Sequence, residues 1–378
     1  MPDWILKGAR ALLPFAVASA IAMAVVPGAT ESGAQTNVLG TSENASTTTT
    51  NASADTAVEA PDTSAVSAPT TAPPTSTGPA STTTAAPTTA PAPHLSPADD
   101  ILAWPLPNPL AVGVNEQQMP VGGFSRNYLA VVPPPTAKPH SLLIVLHGVN
   151  GRGANMRSMG FEPSAAANGT VVVYPDAVGG SWNDGRAGME PLQAGMITDD
   201  VAFLRALIDE MVNRANVDAT RVAVAGFSNG ALMASRVACD MPDRVRGVAL
   251  VGGTAGQNNS QVCLPSRSIP IVEVHGTSDP VVPYTGGKVA DNQGRKRGSV
   301  LSVADFVSFW SGTCHCTGTR ETPIKAALAV TMVEAQACTP GSPVVHYRVN
   351  GGVHEWFRIQ GFDTTKVVWD FLAANSFA

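Results

Sequence analysis

The sequence predicts an α/β fold: a mostly parallel sheet with helices on both faces. Two observations predict it. Short, continuously apolar, β-branched runs alternate with helical patterns, as expected of strands covered on both sides. One of those runs, Arg221–Ala225, leads straight into Gly226-Phe227-Ser228-Asn229-Gly230, a strand, tight turn and helix with a serine at the apex. The runs read as strands are Tyr128–Val132, Leu142–Leu146, Thr170–Tyr174, Arg221–Ala225, Gly247–Val251, Pro270–Val274 and Val344–Val349. The clearest helix carries Ile197, Val201, Leu204, Ile208 and Met211 on one face, with Thr198 and Asp199 as caps at its start. Further helices are expected from Asn229 to about Cys239 and from Thr364 to Ala374. Ligands of such sheets bind beyond the carboxyl ends of the strands, and the motifs below fall at those ends.

The chain has 378 residues, and its composition divides them unevenly. Residues 1–34 read as an export signal. Lys7 and Arg10 give a positive start, 11–27 are almost wholly apolar, and Ser32-Gly33-Ala34 offers small residues for cleavage. The alternative is an uncleaved membrane anchor, which Pro14 weakens. Residues 35–96 are rich in Thr, Ala, Pro and Ser and hold no Lys, Arg, Cys, Phe, Trp or Tyr. Such a segment cannot bury enough apolar surface to offset the entropy of ordering it, so it reads as a disordered linker. Residues 97–378 are left for one α/β domain. A net charge of −6 offers no basic stripe, and no nucleic-acid partner is expected. A membrane partner is expected only if the leader stays uncleaved.

Five cysteines suit an exported protein with disulfides and leave one over. The pairs expected are Cys239–Cys263 and Cys316–Cys338, with Cys314 unpaired. Cys314-His315-Cys316 lacks a second ligand pair at a zinc-like spacing, so no metal is expected there.

A serine hydroxyl is a poor nucleophile until a base takes its proton and an acid orients that base. Of seven histidines, His354 is the candidate base. It follows the last strand in Asn350-Gly351-Gly352-Val353-His354, where two glycines let the loop carry an imidazole over the sheet edge. The candidate acid is Asp279, at the tip of His275-Gly276-Thr277-Ser278-Asp279-Pro280 after the strand Pro270–Val274. Asp291 and Asp305 are weaker candidates because neither directly follows a strand. Ser, acid and His then follow in the chain order of one serine-hydrolase fold. Candidate oxyanion donors are the backbone amides of Asn229 and of Val149, with Gly148 as the near alternative in His147-Gly148-Val149-Asn150-Gly151. Trp182 and Trp356 are candidate pocket walls for an aromatic or polyester acyl group. The reaction expected is ester hydrolysis through an acyl-enzyme, without metal or cofactor. Alternatives are a serine peptidase on the same fold and a stalked binding protein with a residual triad.

Leu146-His147-Gly148, Ser181-Trp182-Asn183-Asp184-Gly185, Asp199 to Leu204, Gly226 to Gly230, His275 to Pro280 and Gly351-Gly352-Val353-His354-Glu355-Trp356 together resemble the polyhydroxybutyrate depolymerase and feruloyl esterase-like family. The resemblance spans roughly 110–375. It implies an α/β-hydrolase fold and an extracellular, cofactor-free ester hydrolase acting on polyhydroxyalkanoate or on feruloyl or acyl-polysaccharide esters. It implies Ser228 as nucleophile, Asp279 as acid and His354 as base, and it supports the two disulfides. The chain departs from the family at His354-Glu355-Trp356-Phe357, where His-Thr-Trp-Pro is frequent, and at Arg186-Ala187-Gly188, where many members carry a cysteine pair.

Overall fold

A computed structural model describes residues 108–188, 198–290 and 297–377. The leader and linker expected at 1–34 and 35–96 lie outside the described residues, as do Ile197 and the weaker acid candidate Asp291.

The described chain builds a ten-stranded sheet. Its strands are β1 (Gly113–Val121), β2 (Phe124–Val132), β3 (His140–Leu146), β4 (Thr170–Pro175), β5 (Val217–Phe227), β6 (Gly247–Val251), β7 (Ile271–Gly276), β8 (Gly318–Ile324), β9 (Val330–Gln336) and β10 (Val344–Val349). Their order across the sheet is β1-β2-β4-β3-β5-β6-β7-β10-β9-β8. The strands from β4 to β10 along that order are parallel, and an antiparallel pair closes each edge. Every residue of β3, β4, β6 and β7 is buried, which is why apolar residues dominate them; His140, Ser141, Glu273 and His275 are among the buried polar exceptions.

The four longest helices among the described residues cover the sheet: α1 (Asp200–Ala215), α2 (Asn229–Asp240), α3 (Val303–Thr313) and α4 (Thr364–Ser376). Residues alternate along each strand, so the two faces make two cores. Leu142, Ile144, Leu146, Val224 and Leu250 meet Phe203, Leu204 and Leu207 of α1, Val237 of α2 and Trp310 of α3. Leu143, Val145, Ala225, Val251 and Val274 meet Val368 and Leu372 of α4. Of the two expected caps of α1, Asp199 accepts the Ala202 amide at 2.9 Å, whereas Thr198 donates its hydroxyl to Asp200. Asp200 itself forms a buried ion pair with Arg126 at 2.6 Å, whose guanidinium lies over the Phe203 ring. It also accepts the Asn183 amide at 2.7 Å and so ties the Trp182-Asn183 loop to the start of α1.

Both expected disulfides are present. Cys314 is a buried thiol that donates to the Ile269 carbonyl at 3.7 Å, and burial pushes its pKa up. It packs as a small apolar side chain. Among the described residues, no group of three or more His, Cys, Asp or Glu side chains is placed to hold a metal ion.

Candidate active site

The turn from β5 into α2 holds Ser228 at φ 57°, ψ −121°, a conformation that L-residues rarely adopt. Two glycines make the turn sterically possible. A Cβ on Gly226 would lie 2.1 Å from the Gly230 carbonyl oxygen, and one on Gly230 would lie 2.4 Å from that of Leu146. Both obstacles are backbone, so neither can swing aside. Gly230→Ala is therefore expected to cost at least about 1–3 kcal/mol of stability, read as a lowered melting temperature. A variant that melts with the wild type would contradict this account of the turn.

His354 stands between the serine and an acid. Its Nε2 is 2.9 Å from Ser228 Oγ and its Nδ1 is 2.6 Å from Asp279 Oδ2. The loops carrying Asp279 and His354 are joined along their backbones. Ser278 donates its amide to the Gly352 carbonyl at 2.9 Å, and Gly351 donates its amide to Thr277 Oγ1 at 2.9 Å. Gly276 permits this approach, since a Cβ there would sit 2.2 Å from the Gly352 oxygen. The Phe227 ring lies 5.0 Å from that of His354, and Asp279 Oδ1 accepts the amides of Val281 and Val282 at 2.8 and 2.9 Å. Chemically, such a line can move a proton from the serine hydroxyl to the imidazole while the carboxylate balances the charge. Asp305 does not join it, because its carboxylate accepts the Ser302 hydroxyl at the start of α3.

The loop after β3 runs beside Ser228, and a Cβ on Gly148 would lie 3.2 Å from that of the serine. The Gly148 carbonyl accepts the Gly151 amide at 3.0 Å and the His147 Nδ1–H at 2.7 Å. His147 has that tautomer because its Nε2 accepts the Ala177 amide at 3.0 Å, and burial lowers its pKa and keeps the ring neutral. In a planar trans peptide the N–H points opposite to the C=O, so the Val149 amide faces away from those bonds. Asn229 opens α2, where a backbone N–H has no partner within its own helix. Its side chain instead holds the neighbouring loop: Oδ1 accepts the Trp182 amide at 2.7 Å and Nδ2 donates to Asp184 at 2.7 Å.

Trp182, expected as a pocket wall, does not line a pocket. It is 0 % exposed, donates its indole N–H to the His147 carbonyl at 2.9 Å and leaves no face for a substrate. It braces the loop after β3 from below. Trp356 stays partly exposed, edge-on to Phe227 with ring centroids 6.3 Å apart. Arg186, where many relatives were expected to carry cysteine, instead forms a buried ion pair with Asp184 at 2.8 Å.

A family model described as phospholipase/carboxylesterase matches residues 127–303. NocK of Nocardia uniformis subsp. tsuyamanensis, a protein assigned as an esterase, is 32% identical over 258 residues, covering 64% of this chain and 73% of NocK. The chain belongs to the feruloyl esterase-like family of α/β-hydrolases. It is a carboxylic ester hydrolase. Feruloyl esterase B of Piromyces equi is 29% identical across 61% of this chain, and the bifunctional acetylxylan esterase/xylanase XynS20E of Neocallimastix patriciarum is 25% identical across 66%. The esterase spans only 41% and 33% of those two proteins.

The esterase's site carries strongly displaced protonation equilibria. Burial alone would raise the Asp279 carboxyl. Hydrogen bonds from His275, His354 and the Val281 amide outweigh burial and hold it well below the usual carboxylate range. Burial alone would lower His275. Its bonds to Asp279 and Glu273 outweigh that and raise it to about 10. Between its ordinary 6.5 and about 10, folded His275 keeps a proton that the unfolded chain releases. This contribution is complete below the lower value and is lost as pH rises towards the upper one. The melting temperature is expected to fall from neutral pH towards pH 10 more steeply in the wild type than in His275→Gln. Parallel curves would contradict it.

Sequence reasoning passed over Glu273, His275 and His346. The available signal was the alternation of Glu273 and His275 on one strand immediately before the acid.

Proposed function

We propose that this chain is a secreted serine esterase in which Ser228 attacks the ester carbonyl, His354 takes the serine proton and Asp279 orients and balances the imidazole. The observation that carries this reading is the bridging position of His354, 2.9 Å from Ser228 and 2.6 Å from Asp279. With Asp279 ionised, His354 donates Nδ1–H to it and presents the Nε2 lone pair to the serine hydroxyl. The amides of Asn229 and Val149 donate to the oxyanion of the tetrahedral intermediate. The alcohol leaves with the proton held by His354, and water then repeats the sequence on the acyl-enzyme.

The substrate class proposed is an acyl group esterified to a carbohydrate, of the feruloyl or acetyl type. The names of the two fungal relatives support it. So do the exposed side chains of Val149, on the loop that runs beside Ser228, and Val353, next to His354, with the partly exposed Trp356. Secretion is supported by the two disulfides, which persist in oxidising compartments. The test is a panel of methyl hydroxycinnamates, acetylated xylan, p-nitrophenyl esters, polyhydroxybutyrate and peptides. Preference for hydroxycinnamates or acetylxylan supports the proposed class, whereas preference for the polyester or for peptides overturns it.

A further inference from the structure

Behind Asp279 lies a line of ionisable side chains that acyl transfer by Ser228, His354 and Asp279 does not itself require. β7 and β10 are parallel, with Glu273 opposite His346 and His275 opposite Arg348. Alternation along β7 puts Glu273 and His275 on one face, where both are 0 % exposed. Glu273 Oε1 is 2.8 Å from His275 Nδ1, and Oε2 is 2.5 Å from His346 Nδ1. Tyr284 donates its hydroxyl to His346 Nε2 at 2.9 Å. On its other side, His275 Nε2 is 2.9 Å from the Val282 carbonyl oxygen and 3.2 Å from Asp279 Oδ2.

The hydrogen-bonding partners of the His275 nitrogens are thus oxygens of two carboxylates and one carbonyl. A neutral imidazole would turn a bare lone pair on one side of that set, so the ring suits both protons. We propose that Glu273 and His275 are positioning residues, a buried carboxylate–imidazolium pair that holds a fixed positive charge against the triad carboxylate, orients Asp279 and sets the pH at which Ser228 becomes reactive. The proposal rests on the triad reading above. Without that cation, Glu273 and Asp279 would be two buried anions separated by one neutral ring. With it, the set of Glu273, His275 and Asp279 carries a single negative charge, which the imidazolium formed on His354 during attack neutralises.

Further titratable or charged groups face this pair from β10 and from the loop after β7. From β10 come His346, bound to Glu273, and Arg348, bound to Glu321 at 2.9 Å. From the loop after β7 come Asp279 and Tyr284, whose ring is edge-on to His275 with centroids 5.7 Å apart. From β6, apolar Leu250 stands opposite Glu273.

Nitrogen NMR of the wild-type protein reads both ring nitrogens of His275. Both protonated from about pH 6 to about pH 9 is expected, and a neutral ring at neutral pH overturns the proposal whether or not any variant folds. Kinetics with p-nitrophenyl acetate test the consequence. In His275→Gln the acid limb of kcat/KM is expected to move up by about one pH unit, because protonation of the triad base is favoured by two carboxylates with no cation between them. The maximal kcat should fall at least about tenfold. In Glu273→Gln the His275 nitrogens should titrate at lower pH than in the wild type. An unchanged acid limb in the first variant, or an unchanged titration in the second, overturns the proposal. Ser228→Ala separates the two failures. If it keeps wild-type turnover the triad reading falls, and if it is inactive while the acid limb stays fixed only the Glu273–His275 pair falls.

Discussion

Ser228→Ala is expected to lower kcat by roughly 10⁴–10⁶-fold on every ester that the wild type turns over. The variant removes one oxygen whose side-chain partner is His354 Nε2 at 2.9 Å. The Ser228 amide still donates to the Val251 carbonyl, and its own carbonyl still accepts the Ala231 and Leu232 amides. The strained backbone at φ 57° is held by those bonds and by the glycines around it, and alanine tolerates it no worse than serine. Folding should therefore be nearly unchanged, with a melting temperature within a few degrees of wild type. Any remaining turnover would come from water attacking an ester already bound and polarised by the oxyanion donors, which sets a floor above the uncatalysed rate. A fluorophosphonate probe should label the wild type once and leave the variant unlabelled. Labelling that persists, or turnover above about a tenth of wild type, would move the nucleophile elsewhere in the chain.

Why some of this site is visible in the sequence and some is not has a physical basis in how each residue is selected. The turn at Ser228 is legible because its steric demands fall on neighbours in the chain. Gly226 and Gly230 flank Ser228, and each is required by a backbone atom within 2.4 Å of where a Cβ would be. The parallel strands are legible because burial on both faces favours apolar side chains, as at Leu142–Leu146 of β3 and throughout β6. The edge strands fail that test. β8 exposes nearly every residue of Gly-Thr-Arg-Glu-Thr-Pro-Ile, and β1 alternates partly buried with exposed positions, so neither presents an apolar run. The β1–β2 connection does carry a local signal, Gly122-Gly123 with φ of 60° and 80°, the geometry of a tight hairpin turn. Trp182 misleads because a tryptophan in a loop near a nucleophile looks the same from sequence whether its indole faces a ligand or the His147 carbonyl. The Glu273–His346 contact is invisible for a different reason. It depends on the register between β7 and β10, strands separated by almost seventy positions, and no local pattern encodes that register.

The second large effect is expected at Asp279, where Asp279→Asn should lower kcat by about 10⁴-fold although the side chain keeps its shape. The hydrogen-bond donors around the carboxylate dictate this. Oδ1 accepts two backbone amides, from Val281 at 2.8 Å and Val282 at 2.9 Å, while Oδ2 accepts from His354 at 2.6 Å and lies 3.2 Å from His275 Nε2. An asparagine has one oxygen and one NH₂ to distribute over those four partners. Turning its NH₂ towards Val281 and Val282 would set two pairs of donors face to face, so the oxygen goes there and the NH₂ points at His354. His354 must then present the Nδ1 lone pair and carry its proton on Nε2, where it can no longer accept from Ser228. The same NH₂ also opposes the His275 Nε2–H and favours loss of that proton, so the variant should lose stability as well as rate. Asp279→Ala, which imposes no tautomer on His354, should be no slower than Asp279→Asn despite removing more of the side chain. Measuring kcat/KM for both variants across pH, beside their melting temperatures, checks the argument. If Asp279→Asn kept more than about a tenth of wild-type turnover, Asp279 would not be the group that orients the base.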